Sequence, residues 1–168
     1  MEDKLNIIID SNDYDDKWPK YERSAVRGIV KKDNRYAFIK SDRYGDYKFP
    51  GGGREEYESD IDTLKREIFE ETGISIDADK AVYFGDATEL CHIGGNGDVY
   101  KHISHYYMYD MTGDEECISL DFADKDGNLE FVELETALSN NLGIMEKESI
   151  PWIERETKVM KKLQIREE

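Results

Sequence analysis

The sequence predicts a single α/β domain in which a mixed β-sheet packs against helices. Three observations carry that expectation. β-rich runs alternate with only two or three helical stretches, no repeat or low-complexity block interrupts them, and 168 residues can bury a core without metal or disulfide staples. Hydrophobic residues make up 38% of the chain, with eleven Tyr, six Phe and two Trp, too rich a set for a disordered segment.

The apolar run at residues 5–9 reads as an opening strand or extended arm, and the polar stretch behind it as an irregular linker. Residues 1–23 are therefore set apart from a domain spanning 24–168. From Ser24, SAVRGIVKK and RYAFIKS are two β-rich runs joined through Asp33 and Asn34, the pattern of a hairpin. A short strand at 46–49 runs into Pro50 and three glycines. Residues 59–72 form the clearest helix: Ser59 can cap it, Asp62 is an acidic capping-box partner, and Gly73 is a natural stop. Ile61, Leu64, Ile68 and Phe69 supply its apolar stripe, with Ile68 and Phe69 expected as core anchors. Further β-rich runs stand at 81–85, 102–110 and 129–134, with IGGNGDVYK read as a hairpin tip. A short helix is expected at 135–141. Pro151 opens a last amphipathic helix whose Trp152, Ile153, Val159, Met160 and Leu163 pack across the sheet, or alternatively form a dimer seam.

Charge narrows the function classes. There are 39 Asp plus Glu against 23 Lys plus Arg, a formal net charge of −16. Such a surface repels bare phosphate backbones and anionic membranes, so bulk nucleic-acid and membrane binding are disfavoured. On charge alone the expectation is a cationic partner or simply a highly solvated face. No apolar run approaches the length of a membrane span, and the acidic start MEDKLNIII does not read as a secretory signal. Cys91 and Cys117 lack CxxC spacing, so a reducing, cytoplasmic setting is expected and Cys117 reads as a buried or half-buried thiol.

The chemistry is concentrated in PGGGREEYESDIDTLKREIFEETGI, residues 50–74. Glu67, Glu70 and Glu71 stand at i, i+3 and i+4, so their carboxylates share one helix face. Like charges at this spacing repel, and a hard divalent cation such as Mg²⁺ or Mn²⁺ would resolve the conflict. Arg66 can orient or partly neutralise a neighbouring carboxylate. Taken alone, an acidic helix face is more often plain solvated surface; the glycines add weight by exposing backbone beside it.

The same residues resemble the Nudix box: a glycine, Gly52; a glutamate, Glu58; Arg66, Glu67 and Ile68 in a row; then Glu70, Glu71, Gly73 and Ile74, each at the family's spacing. The resemblance implies a Nudix-like α/β/α sandwich and hydrolysis of a pyrophosphate bond in a nucleoside diphosphate linked to another moiety. It implies metal ligation by Glu67, Glu70, Glu71 and the Gly51 carbonyl, a supporting or ligating role for Glu58, and an orienting role for Arg66. Mg²⁺ is the implied cofactor, with Mn²⁺ able to substitute, and homodimers recur in the family. Some members take the general base from a later loop, for which Asp114, Glu115, Glu116 and Glu133 are candidates here, against a default of solvated turn or strand surface.

A nucleoside triphosphate cleaved to monophosphate and pyrophosphate is the preferred substrate. ADP-ribose, a nucleotide sugar or a dinucleoside polyphosphate is the alternative, as is a noncatalytic nucleotide-binding regulatory module. ADP-ribose-hydrolysing relatives often carry a downstream proline where this chain has Thr88, Glu89 and Leu90. Arg27, Lys40 and Arg43 are candidate phosphate contacts, and Tyr47, with Tyr44 and Phe49, a candidate for stacking on the substrate. Cys91, His92, His102 and His105 do not have structural-zinc spacing; the two later histidines are expected on different faces of one strand.

Overall fold

A computed structural model describes residues 4–94, 97–120 and 126–168. The chain runs β1 (Leu5–Asp10), β2 (Lys20–Lys32), β3 (Arg35–Ser41), β4 (Tyr47–Lys48), β5 (Gly51–Gly53), α1 (Asp60–Thr72), β6 (Ile74–Ser75), a 3₁₀ turn (Ala78–Lys80), β7 (Val82–Ile93), β8 (Asp98–Asp110), β9 (Glu116–Cys117), β10 (Gly127–Val132), α2 (Leu134–Met145) and α3 (Pro151–Glu167). The main sheet has the order β1-β7-β8-β2-β3-β10, with β4 on β3 and β5 on β2. It is mixed: β1 runs parallel to β7 and β2 parallel to β8, while the remaining pairs are antiparallel.

Strand alternation sends side chains to two separate cores. Val26, Val30 and Ala37 face α1, where Leu64 and Ile68 are fully buried. Ile29, Tyr36 and Phe38 face the opposite layer, built from α2 and α3 with Leu138, Val159, Met160 and Leu163. Each fully buried aliphatic side chain contributes about 1.5–3 kcal/mol. The result is an α/β/α sandwich with a mixed sheet, the expected class.

Local rules act where the sequence reading placed them. Ser59 caps α1, accepting the Asp62 N–H at 3.1 Å, while Asp62 returns to the Ser59 N–H at 3.1 Å. Gly73 ends the helix in the left-handed region. The β2–β3 hairpin turns at Asp33, also left-handed, with Lys32 opposite Arg35.

Other expectations change. Of the two readings of the opening run, the strand is the one that forms: β1 pairs along its length with β7 as an edge strand of the main sheet, rather than standing off it as an arm. β7 and β8 extend far beyond 81–85 and 102–110, because β7 is paired on both edges and long-range pairing outweighs the weak β-propensity of its polar residues. Gly94 and Gly97 flank the turn of that hairpin; the residues between them lie outside the described part. Of the two proposed anchors, Ile68 is buried but Phe69 is 38% exposed. Neighbouring helix residues point about 100° apart, so only one of the two can face the sheet. Cys117 is exposed rather than buried, since β9 pairs only with the short β6 at the periphery. Ile153, Val159, Met160 and Leu163 pack within the chain, whereas Trp152 remains half-exposed at the helix start. No described helix is long and apolar enough to cross a membrane.

A side chain at Gly73 would meet both left-handed strain and the Ile118 carbonyl oxygen. Gly73→Ala is expected to cost about 2 kcal/mol and to lower the thermal midpoint by about 4–8 °C. An unchanged midpoint would contradict the role of this cap.

Candidate active site

The site begins with a loop that only small residues can form. Gly51 to Gly53 pair with Arg27 to Ala25 of β2, and the Pro50 carbonyl accepts the Gly28 N–H at 2.8 Å. This presses the loop against the sheet beside α1. At Gly51, with φ of 152°, a Cβ would collide with the Val26 carbonyl and the Arg27 backbone. At Gly52 a Cβ would stand 2.6 Å from the carboxylate atoms of Glu67. The bare Cα at 52 therefore forms one wall of the space in which that carboxylate sits.

Arg66 organises the acidic face. Its Nε donates to Glu58 Oε1 at 2.6 Å and its Nη2 to Glu58 Oε2 at 2.8 Å, a bidentate fork. Nη1 donates to Glu67 Oε1 at 2.7 Å and to Glu70 Oε2 at 3.3 Å, and Nη2 also reaches the Gly53 carbonyl at 3.1 Å. Glu58 Oε2 further accepts the Thr63 hydroxyl at 2.8 Å. The guanidinium beside it holds the Glu58 carboxyl at about 2, and the same contacts raise Arg66 above its ordinary value.

Glu71 is held differently. Its Oε2 accepts the Gly51 N–H at 2.9 Å. Burial pushes its carboxyl upward, against the opposing effects of that hydrogen bond and the Lys48 and Arg27 charges. A half-buried carboxylate with one neutral backbone donor favours a cation beside it.

Three carboxylates on one helix face, one of them desolvated, next to a backbone loop that a methyl group would obstruct, form an all-oxygen donor set that fits a hard divalent cation. Among the described residues no three acidic, His or Cys side chains already close on one another as a cage; Glu58, Glu67 and Glu70 are held by Arg66.

A cavity of about 690 Å³ adjoins the loop, on the opposite side of the sheet edge from α1. Gly51, Arg27 and Lys48 line it at the loop; Tyr100 and Trp152 provide aromatic wall, and Glu89 and Arg155 a charged floor. The Arg27 side chain is oriented by Nε–H donation to Ser104 Oγ at 3.2 Å.

Of the residues proposed for substrate contact, Arg27 lines this cavity and the other five do not. Tyr47 is buried, with its hydroxyl donating to Glu130 at 2.7 Å, and the Lys40 ammonium lies 5.3 Å from its ring. The β4 pairing that buries Tyr47 turns both toward β3 and β10, away from the glycines. Arg43 stacks over Tyr44 beside a separate depression lined by Asn140 and Gly143. Phe49 is a core residue.

The late-loop acids are also placed. Glu115 accepts the N–H groups of Thr112 at 2.7 Å and Gly113 at 2.9 Å and the Tyr109 hydroxyl at 2.8 Å. Burial opposes its ionisation, yet those donors hold it at about 2. Glu116 belongs to β9 and Asp114 is exposed in the turn. Glu133 is the residue before α2, beside Asn34 and Tyr36, remote from the box helix. His102 and His105 do face opposite sides of β8: the first meets Glu89 at 3.3 Å and the second Asp86 at 2.6 Å. Cys91 lines the cavity, and His92 packs on Trp18.

Lys48, Glu89, Tyr100 and Arg155 were not singled out from the sequence as substrate-site residues. One signal stood next to Arg155, at its α3 neighbour Glu156. Glu156 shares a stripe with Ile153, Met160 and Leu163, and a charge on an apolar stripe marks a buried polar contact.

Comparison with known proteins agrees with this architecture. The model of the NUDIX domain matches residues 22–153. A MutT mutator protein from Bacillus halodurans superposes with a TM-score of 0.57 at 24% identity, over 70% of this chain and 72% of that one. A MutT NUDIX hydrolase from Burkholderia pseudomallei gives 0.53 at 23% identity, over 68% and 85%. No curated protein sequence matches the chain. The chain belongs to the Nudix family, whose members hydrolyse pyrophosphate bonds in nucleoside diphosphate derivatives.

The Arg66 fork makes a signed prediction. Glu58 has a folded value near 2 against an ordinary 4.5, so the stability it supplies is present above 4.5 and lost as pH falls through about 2. In Arg66→Gln its carboxyl ¹³C titration midpoint is expected to rise toward 4.5. A midpoint left near 2 would show that Arg66 is not the cause.

Proposed function

We propose that the protein hydrolyses a nucleoside triphosphate, in the presence of a divalent cation, to the nucleoside monophosphate and pyrophosphate. The observation that carries this reading is the adjacency of two unlike sites at Gly51. A carboxylate face lies on one side and a cavity with a cationic rim, Arg27 and Lys48, on the other. A single nucleoside suits a cavity of this size, and its phosphates would then run past Arg27 and Lys48 toward α1.

Glu67, Glu70, Glu71 and the Gly51 carbonyl would hold the cation. Bound there, Mg²⁺ or Mn²⁺ neutralises diphosphate oxygens and lowers the pKa of a coordinated water. The protein's own groups then have distinct tasks. Arg27 and Lys48 attract and orient the phosphate chain. Arg66 keeps Glu58 ionised and aims Glu67, while one carboxylate of the Glu67, Glu70 and Glu71 set accepts the water proton. Water adds to phosphorus, the bridging P–O bond breaks, and pyrophosphate departs with the electron pair. Glu115 serves its own turn in this reading and is not the base.

Purified protein supplied with Mg²⁺ or Mn²⁺ should release monophosphate and pyrophosphate from nucleoside triphosphates faster than it cleaves ADP-ribose, nucleotide sugars or dinucleoside polyphosphates, with products separated by chromatography. A folded, metal-supplied protein that turns over none of them would instead indicate a binding module. Glu70→Gln and Glu71→Gln should each lower kcat by about 100-fold or more while circular dichroism stays unchanged. Near-normal turnover in both variants would refute the assigned metal roles.

A further inference from the structure

Glu156 of α3 is fully buried and takes no part in the box. Its Oε2 accepts the Phe49 N–H at 3.0 Å. Its Oε1 accepts the Tyr106 hydroxyl at 2.9 Å and both Nε and Nη2 of Arg155, at 3.1 and 3.0 Å. Arg27 Nε stands 3.8 Å from the same oxygen. Arg155 continues outward through Nη1 to Glu89 Oε2 at 2.7 Å. Alternating charges, Glu89, Arg155, Glu156 and Arg27, thus run beneath the cavity, and all but Glu156 line it.

On stability grounds this arrangement has no advantage over a well-packed apolar residue, because desolvation offsets most of the attraction within a buried ion cluster. An apolar residue could not, however, accept the Phe49 N–H. That amide lies two residues before Gly51, whose N–H is held by Glu71 from α1. Helices on opposite faces of the sheet therefore grip the same short segment through carboxylates, Glu156 at Phe49 and Glu71 at Gly51.

We infer that Glu156 is a positioning residue for hydrolysis: it sets residues 49–51, and through them the Gly51–Glu71 contact, and it links that segment to cavity occupancy through Arg27 and Arg155. This rests on the nucleotide reading above. A phosphate or sugar group that pulls on Arg27 or Arg155 changes the forces on Glu156, and among the described residues the only peptide N–H that Glu156 holds belongs to this segment. The ligand and the box carboxylates are in this way coupled through buried side chains and backbone, in addition to any meeting at the phosphates.

Glu156→Met removes the acceptor and Glu156→Gln restores it without charge. With a nucleoside triphosphate that the wild type cleaves, Glu156→Met should lose about tenfold or more in kcat with KM within about threefold, and Glu156→Gln should recover part of the loss. Amide exchange at Phe49 and Gly51 should quicken in Glu156→Met. A purely structural residue would lower the thermal midpoint of both variants and leave kcat intact at temperatures where they are folded; that result overturns the proposal. A second measurement covers variants that do not fold. AMP titrated into wild-type protein without metal should shift the amide resonance of Phe49, a core residue that does not line the cavity, and Phe49 unmoved at saturating AMP overturns the coupling. Wild-type protein that cleaves no nucleotide refutes the proposed reaction instead, and the AMP titration still decides the coupling.

Discussion

Everything at the candidate site depends on how one guanidinium handles the charge of its neighbours. Residues 54–71 contain eight acids and three bases, and carboxylates gathered on one helix face repel unless something positive lies among them. Arg66 does this by geometry that a lysine could not reproduce, spreading donors over Glu58, Glu67, Glu70 and the Gly53 carbonyl. The fork ties the residue before the helix to the helix itself and to the glycine loop. Glu71 lies outside this arrangement: it is half-buried and held by the Gly51 N–H, and desolvation pushes its carboxyl upward.

The glycine loop is the second constraint and follows from the first. Glu67 can lie against Gly52 only because no side chain is there, and Gly51 can approach β2 only in a conformation that other residues avoid. Such a loop has little packing of its own, so its position has to come from its neighbours. β2 supplies the Gly28 N–H, α1 supplies Glu71 and α3 supplies Glu156. A segment held from both faces of the sheet is fixed in a way that backbone propensity alone would not achieve, and it separates the carboxylate face from the cavity by a single strand edge.

The overall charge of −16 describes mainly the surface. Residues 110–135 contribute ten acids and one base, and Glu115 among them is absorbed by its own turn. In the proposed reading an acidic protein still receives an anionic substrate, because Arg27 and Lys48 stand at the cavity and the Glu67, Glu70 and Glu71 set would hold cations. Net charge alone does not name the partner, because charge acts locally, within about a Debye length.

By itself the sequence determined what depends on short-range spacing. The capped helix, its Gly73 stop, the β2–β3 hairpin, the carboxylate face and the family all rest on residues within a single stretch of chain, where helical period and turn chemistry leave few alternatives. Tertiary structure alone decided which basic and aromatic side chains gather at the cavity. Arg27, Lys48, Glu89, Tyr100 and Arg155 come from five separate places in the chain, and whether Tyr47 or Tyr100 faces the pocket depends on sheet pairing. A one-residue difference in register reverses a strand residue's face, and a neighbouring helix position turns by about 100°, as Phe69 and Ile68 demonstrate. Local pattern specifies which elements form; long-range pairing specifies what they bring together.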